Sequence, residues 1–404
     1  MVFVLEKGKL PRMVNLGEPF TFENSSNPWL MDKNDDSKVL LINGKKLTAT
    51  YLWSLNAVER KAILEDVFQH YRKNGFPKIS LSDTEVKKEF LKLCAFDVSS
   101  SVLTKDGFIS NSGSCCIDLC KYFCQEEYYK AKGGIETKSV REVFEDNNLF
   151  IRVLKNRMGW NTTKEGGIER PYLFPVSDKQ ILNGIRNSGL GYGVSNFRPT
   201  VAKWMYKHAA DLAGVKKAKV FDYSGGWCAR ALGALSLGFD YDATDPLTSK
   251  DITKCVNQLA NNLQQCRIYD KCSEDKFFSD NQFKELYDVI GSCPPYFDLE
   301  MYSSDEKQSV VSCRGKYEEW LEKYWRGTVL NCVSMLKQNG VFILVIKDEV
   351  NGFPIKNDMC RILTESGLHA VESFQYKTTT NHLSRKTTTG RTTKTNEWIL
   401  FFKK

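Results

Sequence analysis

The chain has 404 residues and 42% hydrophobic content, enough to bury one large or two moderate cores. No apolar run approaches the roughly 20 residues of a membrane span, and Met1 to Lys7 lacks the apolar region of a secretory signal, so a cytoplasmic protein whose 13 cysteines are reduced thiols is expected. The formal net charge is +8, and Tyr376 to Lys404 carries seven basic residues against one acid, Glu397, a concentration that suits a polyphosphate partner.

Leu55, Val58, Ile63, Leu64, Val67 and Phe68 fall at helical spacing between Leu52 and Arg72, and Ser82 reads as the N-cap of a helix running through Val86–Leu93. The first part of the chain is therefore expected to be helix-rich, and it is a candidate for target recognition. Cys116, Cys120 and Cys124 recur every four residues, the stripe of one buried helix face. Neither a Cys-x-x-Cys pair nor a nearby His completes a zinc site, so no metal is expected. The stretch Arg157 to Tyr172 is polar and turn-rich, and a boundary beyond it divides the chain into domains 1–185 and 186–404.

The second domain reads as alternating strands and helices. Ser195-Asn196-Phe197-Arg198-Pro199 leads into a helix over Val201–Leu212, and Ser195 or Asn196 is placed to cap it, where backbone N–H groups can meet a carboxylate. Lys219 to Asp222 is a strand, and Ser224-Gly225-Gly226-Trp227-Cys228 turns it into a helix at Ala231–Leu237. Glycine permits close backbone approach at such a turn, and a cysteine at position 228 matters less if only Gly226 needs positive φ. Asp245 ends the next strand about twenty residues further on, where a carboxylate can take both hydroxyls of a ribose. Ile252–Leu263 reads as the crossover helix. Arg267–Asp275 is a third strand and loop offering Ser273, Glu274 or Asp275 to an adenine. G-x-G-x-x-G is absent and no Walker lysine follows the turn.

Tyr287 to Ile290 is a short buried strand that delivers Cys293-Pro294-Pro295-Tyr296-Phe297 to its C-terminal end, the end at which open α/β sheets bind ligands. Two prolines fix φ and remove two amide donors, leaving carbonyls as acceptors beside an aromatic π-face. These are the contacts that an exocyclic amine on a flat base needs. Gln308 to Leu336 carries a helical aromatic stripe read as core, Asn339-Gly340 is expected to close that helix, and Val341–Ile346 is a buried strand. A helix at Ile355–Glu365 and a strand at Glu397–Phe402 complete the pattern, with a Thr-rich basic loop before the last strand.

Cys293-Pro294-Pro295-Tyr296 resembles the (Asp/Asn/Ser)-Pro-Pro-(Tyr/Phe) motif of AdoMet-dependent amino-methyltransferases, which methylate adenine N6 or cytosine N4, with cysteine at the first position. Ser195 to Pro199 resembles the segment that holds the methionine end of AdoMet in that family. Asp222-x-x-x-Gly226-x-Cys228 is similar to its motif I, with Cys228 for the last Gly, and Phe297 to Ser303 resembles the sequel in phage-type DNA methyltransferases. The resemblance covers Gly191 to Lys404, about half the chain, in an order with the AdoMet half first.

What the resemblance implies is an α/β fold, a Rossmann-like class I methyltransferase sheet behind the helix-rich N-terminal domain. It implies S-adenosyl-L-methionine held by Ser195, Asn196, Phe197, Pro199, Asp222, Ser224, Gly226, Asp245, Ser273 and Glu274, and catalysis by Cys293, Pro294, Pro295 and Tyr296. Double-stranded DNA is the expected partner, gripped by Arg385, Lys386, Arg391 and Lys394 in a restriction-modification or phage setting. RNA base methylation and a catalytically weakened nucleic-acid-binding protein are the alternatives. Methylation at cytosine carbon 5 is disfavoured, because the nucleophilic cysteine of those enzymes follows a proline whereas Cys293 precedes one.

Overall fold

The computed structural model describes residues 29–30, 38–110, 113–134, 136–165, 168–377 and 396–404. They form two compact units: Met1–Ile79 with Tyr129–Gly193, and Ser80–Tyr128 with Val194–Lys404. Among the described residues no helix is long and apolar enough to cross a membrane.

In the first unit the stretch expected as one helical run is broken at Leu55 and Asn56 into the helices Ala49–Ser54 and Ala57–Asn74, the second started by a reciprocal capping box between Asn56 and Glu59. Leu64, Val67, Phe68 and Tyr71 face inward, whereas Val58 is exposed. Further helices at Val140–Glu145, Asn147–Arg157 and Asp178–Asn187 pack round an aromatic cluster in which Phe144 and Phe150 lie 4.7 Å apart. The Arg72 guanidinium covers Phe68, Phe144 and Phe150 at 4.7–4.8 Å and donates to the Phe144 carbonyl. Beside the helices the unit has a three-stranded sheet, Trp29–Leu30, Ile168–Leu173 and Met158–Glu165, the last two antiparallel.

The second unit is built on one large sheet. Its strands are β1 (Lys219–Asp222), β2 (Asp240–Thr244), β3 (Cys266–Tyr269), β4 (Tyr287–Ser292), β5 (Leu336–Lys347), β6 (His369–Lys377) and β7 (Glu397–Lys403). They lie in the order β3-β2-β1-β4-β5-β7-β6, with the short strand Ile109–Ser110 added parallel to β6. Neighbours from β3 to β5 are parallel, while β7 runs antiparallel to both β5 and β6. This order, with one reversed strand inserted before the edge, is the Rossmann-like sheet of the class I methyltransferase fold, and it places the C-terminal ends of β1, β2 and β4 side by side. The helices are α1 (Asp83–Ala95), α2 (Ile117–Tyr128), α3 (Pro199–Leu212), α4 (Ala229–Ser236), α5 (Ser249–Leu259), α6 (Gly327–Met335) and α7 (Ile355–Glu365).

Two local readings are corrected. Asn339 and Gly340 do not close a helix: α6 stops at Met335, and Asn339, at φ +64°, sits where the β4–β5 register jumps between Tyr287–Leu336 and Val289–Val341. This is a bulge, which Asn and Gly suit for the same left-handed freedom that suits them to helix ends. The aromatic stripe is core as expected, but it includes the π-helical turn Trp320–Arg326 ahead of α6 rather than one continuous α-helix.

The division between units also differs from the contiguous split at 185, because Ser80–Tyr128 packs with the large sheet. Lys203 of α3, itself 6% exposed, donates to the carbonyls of Leu93, Cys94 and Phe96 at 2.8, 2.8 and 2.9 Å, closing the C-terminal end of α1. The Tyr128 hydroxyl donates to the Val194 carbonyl at 3.1 Å, and Cys124 Sγ meets Cys228 Sγ at 3.3 Å. Replacing Lys203 with Met keeps the stem and removes the ammonium from three carbonyls, of which Leu93 keeps the Phe96 N–H, so Lys203→Met should lower the unfolding free energy by about 3 kcal/mol, read by urea denaturation.

Candidate functional site

The site is assembled where β1, β2 and β4 end. After β1 the chain turns through Gly225 and Gly226 into α4. Gly226 takes φ +58°, though not alone in this turn, and a Cβ on Gly225 would collide with the Ile252 side chain. Cys228 also takes positive φ, +64°, at the N-cap of α4, so the cysteine occupies a backbone conformation that glycine adopts without strain. Its thiol lies among Cys124 and Cys255, whose sulfurs draw its pKa down to about 6 against the effect of burial.

Asp222, at the end of β1, is fully buried. Its Oδ2 accepts from Arg230 Nε and from the Tyr241 hydroxyl, each at 2.8 Å, and its Oδ1 accepts from the Ser224 N–H at 3.1 Å. Arg230 Nη2 also donates to the Ser224 carbonyl. Asp222 is thus the internal counter-ion of Arg230, a buried pair that braces the turn. Asp245 ends β2 in a comparable role: its Oδ2 accepts from the Gly226 N–H and its Oδ1 from the N–H groups of Leu247 and Thr248, all at 2.9 Å. Burial raises its pKa while these donors pull it back. The same carboxylate therefore fixes the glycine turn and the approach to α5.

Ser195 and Asn196 do not cap α3. That helix begins at Pro199 with Arg198 as N-cap, no side chain closes its first turn, and Pro at N1 removes one of the donors that would need closing. The Ser195 N–H donates to Glu300 Oε1 at 3.3 Å. Both polar atoms of the Asn196 side chain are buried without a hydrogen-bond partner. Phe197 lies 5.8 Å from the Arg230 guanidinium and 5.9 Å from the Tyr376 ring, which places this segment against the β1 turn.

Beyond β3, Ser273 Oγ is 2.7 Å from Thr328 Oγ1, and Asn331 Nδ2 donates to the Ser273 carbonyl at 2.9 Å, joining the β3 loop to α6. Glu274 Oε2 is buried without a partner, and burial pushes its pKa up to about 7. The Tyr324 hydroxyl, near enough to sense Glu274 and Asp245, is also buried without a partner. Unpartnered buried polar atoms are costly in a folded chain. Among the described residues they occur elsewhere as well, Arg157, Trp160, Asp242 and Trp398 among them, but those on Asn196, Glu274 and Tyr324 fall at the two places where the sequence expects the amino-acid and adenine ends of an elongated nucleoside ligand. Such a ligand fits the donor and acceptor set present.

At the end of β4 the Cys293-Pro294-Pro295-Tyr296 turn stands next to the β1 turn, tied to it by Ser292 Oγ donating to the Ser224 carbonyl at 3.1 Å. Cys293 is partly exposed and Pro294 buried. The Tyr296 ring is largely buried, and its hydroxyl is 3.1 Å from Cys293 Sγ and donates to Glu397 Oε1 at 2.6 Å. Phe297, at φ +53°, points instead into the aromatic core against Tyr317, Trp320 and Phe353. Burial pushes the Cys293 thiol up to about 12, with Glu397 adding to the shift and Arg230 opposing it.

Sequence reasoning missed Arg230, Tyr324 and Glu397. For Glu397 a signal existed, since it is the one acid in a strongly basic segment and opens the last strand. Arg385, Lys386, Arg391 and Lys394 lie outside the described residues; β6 and β7, which flank them, are antiparallel partners as expected.

No family model and no curated protein matches the sequence. Solved structures to which the chain is similar include the 1,6-didemethyltoxoflavin-N1-methyltransferase of Burkholderia thailandensis, at 10% identity over 50% of this chain and 77% of that one with a TM-score of 0.34. Another is the magnesium protoporphyrin IX methyltransferase of Synechocystis PCC 6803, at 13% identity over 53% and 86% with a TM-score of 0.33. The [4+2]-cyclase SpnF is similar to the same degree, at 8% identity over 52% and 83% with a TM-score of 0.34, and the activities in these names differ.

Because the Asp245 carboxylate serves three backbone donors, its loss is a structural lesion. Asp245→Ala should lower the unfolding free energy by roughly 3 kcal/mol, measured by chemical denaturation without any ligand.

Proposed function

We propose that the chain transfers a methyl group from S-adenosyl-L-methionine to an exocyclic amine of a DNA base, adenine N6 or cytosine N4. The observation that carries this reading is the tie between the two turns. Through Ser292 and Ser224 the Pro-Pro-Tyr turn is held beside the glycine turn at the C-terminal ends of two central strands, where a methyl donor on one could meet a planar amine on the other. The cofactor would lie across the β1 turn, its amino-acid end toward Asn196 and its adenine toward Glu274 and Tyr324, whose polar atoms it would satisfy. Asp245 would reach the ribose hydroxyls while keeping its backbone donors. When bound, the sulfonium supplies the electrophilic methyl. The chain supplies position: the base leaves its stack and lies against Tyr296.

Incubating the full chain with tritiated AdoMet and unmethylated duplex DNA or RNA, followed by nucleoside analysis, tests the proposal. N6-methyladenine or N4-methylcytosine from DNA is expected. Label found only in RNA would move the substrate, and DNA binding with no transfer to either would return the chain to a binding role. Tyr296→Ala should lower single-turnover transfer by about 10- to 100-fold through lost stacking.

Double-stranded DNA as partner rests on the basic segment before β7. Changing Arg385, Lys386, Arg391 and Lys394 together to Ala should weaken duplex binding and flatten its salt dependence by roughly one slope unit per lost phosphate contact, read from titrations at several salt concentrations.

A further inference from the structure

Cys293 occupies a position where the resembled motif has an oxygen acceptor, yet its thiol is neither idle nor isolated. Tyr296 has one phenolic proton and donates it to Glu397 Oε1 at 2.6 Å. The 3.1 Å contact between Cys293 Sγ and the Tyr296 oxygen is then made by the thiol proton, since the phenol has no second one to give. The result is a directed chain, Cys293 S–H to Tyr296 O–H to Glu397, with the sulfur lone pairs left at its open end. Cys293 and Tyr296 come from the turn after β4 and Glu397 from the first position of β7, a hundred residues later in the chain. We infer that Cys293, Tyr296 and Glu397 form a proton relay that takes the proton released by the substrate amine, with Glu397 as its terminal acceptor. This inference rests on the methyl-transfer reading given above.

The step balances as follows. The amine nitrogen's lone pair forms the N–CH3 bond while the sulfonium S–CH3 bond breaks, its electron pair staying on sulfur. As the nitrogen becomes positive one N–H proton passes to the Cys293 sulfur, the Cys293 S–H proton passes to the Tyr296 oxygen, and the Tyr296 O–H proton passes to Glu397 Oε1. The amine loses one proton and Glu397 gains one, while Cys293 and Tyr296 end as they began.

The surroundings suit this direction. Burial raises both the Cys293 thiol and the Tyr296 phenol, so neither keeps a negative charge, and the proton runs through to the carboxylate. Glu397 is faced by Tyr296 and Cys293 from the turn, by Glu300 beyond it, by Lys347 at the end of β5 and by Tyr376 of β6; Arg230 acts on Cys293 and Arg198 on Tyr376. Burial and Glu300 raise its pKa, while Lys347 and the Tyr296 hydrogen bond oppose them, and the net direction is upward. A carboxylate with a raised pKa is a better proton acceptor than an ordinary one. The relay needs Glu397 ionised. Transfer therefore falls as pH drops through that raised pKa, and a chain without the carboxylate lacks this acid limb.

Glu397→Gln separates a relay from a prop, because glutamine still accepts from Tyr296 but takes no proton at working pH. Single-turnover transfer should fall about 100-fold, with AdoMet and duplex affinities and thermal unfolding unchanged and the acid limb gone. Tyr296→Phe keeps the stacking ring and breaks the chain, so it should reproduce the rate loss. In the free protein, an infrared pH titration should show a carboxyl band that titrates above the usual carboxylate range and is missing from Glu397→Gln. Wild-type transfer with an unaltered rate and pH profile in Glu397→Gln would overturn the relay and leave the methyl-transfer reading standing. No AdoMet binding and no transfer by the wild type would overturn both.

Discussion

The second unit depends on how one carboxylate distributes its hydrogen bonds. Asp245 closes β2, and by accepting from Gly226, Leu247 and Thr248 it holds the turn after β1 against the approach to α5. A turn of adjacent glycines has little intrinsic shape, and the entropy of fixing it is greater than for any other residue type. Asp245 meets that cost from one side. Asp222 and Arg230 meet it from the other, with Arg230 donating to both the Asp222 carboxylate and the Ser224 carbonyl. The turn after β1, at the centre of the sheet, is thus clamped between two acids from adjacent parallel strands, and Ser292 hangs the Pro-Pro-Tyr turn from the same structure.

The strand and helix order was legible in the sequence because each element carries its own local signal. Ser82 and Glu85 form the capping box that opens α1, the helix at Ile355–Glu365 has the bounds its periodicity gives, and β1, β2 and β4 end at Asp222, Asp245 and the Pro-Pro turn as their composition indicates. What was not legible is non-local. Ser80–Tyr128 is held to the second unit by pairing of Ile109–Ser110 with β6 and by Lys203 of α3, whose partners are three backbone carbonyls; carbonyls leave no mark in a sequence, and a lysine in an amphipathic helix reads as a solvent-facing residue. The role of Asn339 failed for a related reason. Left-handed φ serves a bulge and a helix end equally, and only the β4–β5 register decides between them.

The two cysteines that depart from the resembled motifs have different physical consequences. Glycine would relieve the positive φ at Cys228, so the thiol is kept there against a backbone cost of about 1–2 kcal/mol. Buried contacts with Cys124 and Cys255 offset that cost. Cys228 is therefore a packing residue of the α2–α4–α5 region that lies in the turn between β1 and α4. Its nearest consequence is structural.

Cys293 stands at the mouth of the site, and what matters there is which way its one proton points. A lone thiol is a poor acceptor beside a serine or aspartate oxygen. Once Tyr296 is committed to Glu397, however, the Cys293 proton is turned inward and the sulfur lone pairs outward, so the acceptor strength of the position is set by a carboxylate two hydrogen bonds away. Cooperative polarisation along such a chain strengthens each link. On the relay reading the terminal proton acceptor is not at position 293 itself. It is the first residue of β7, and the antiparallel insertion of that strand between β5 and β6 brings Glu397 alongside the end of β5 and within reach of the turn that follows β4.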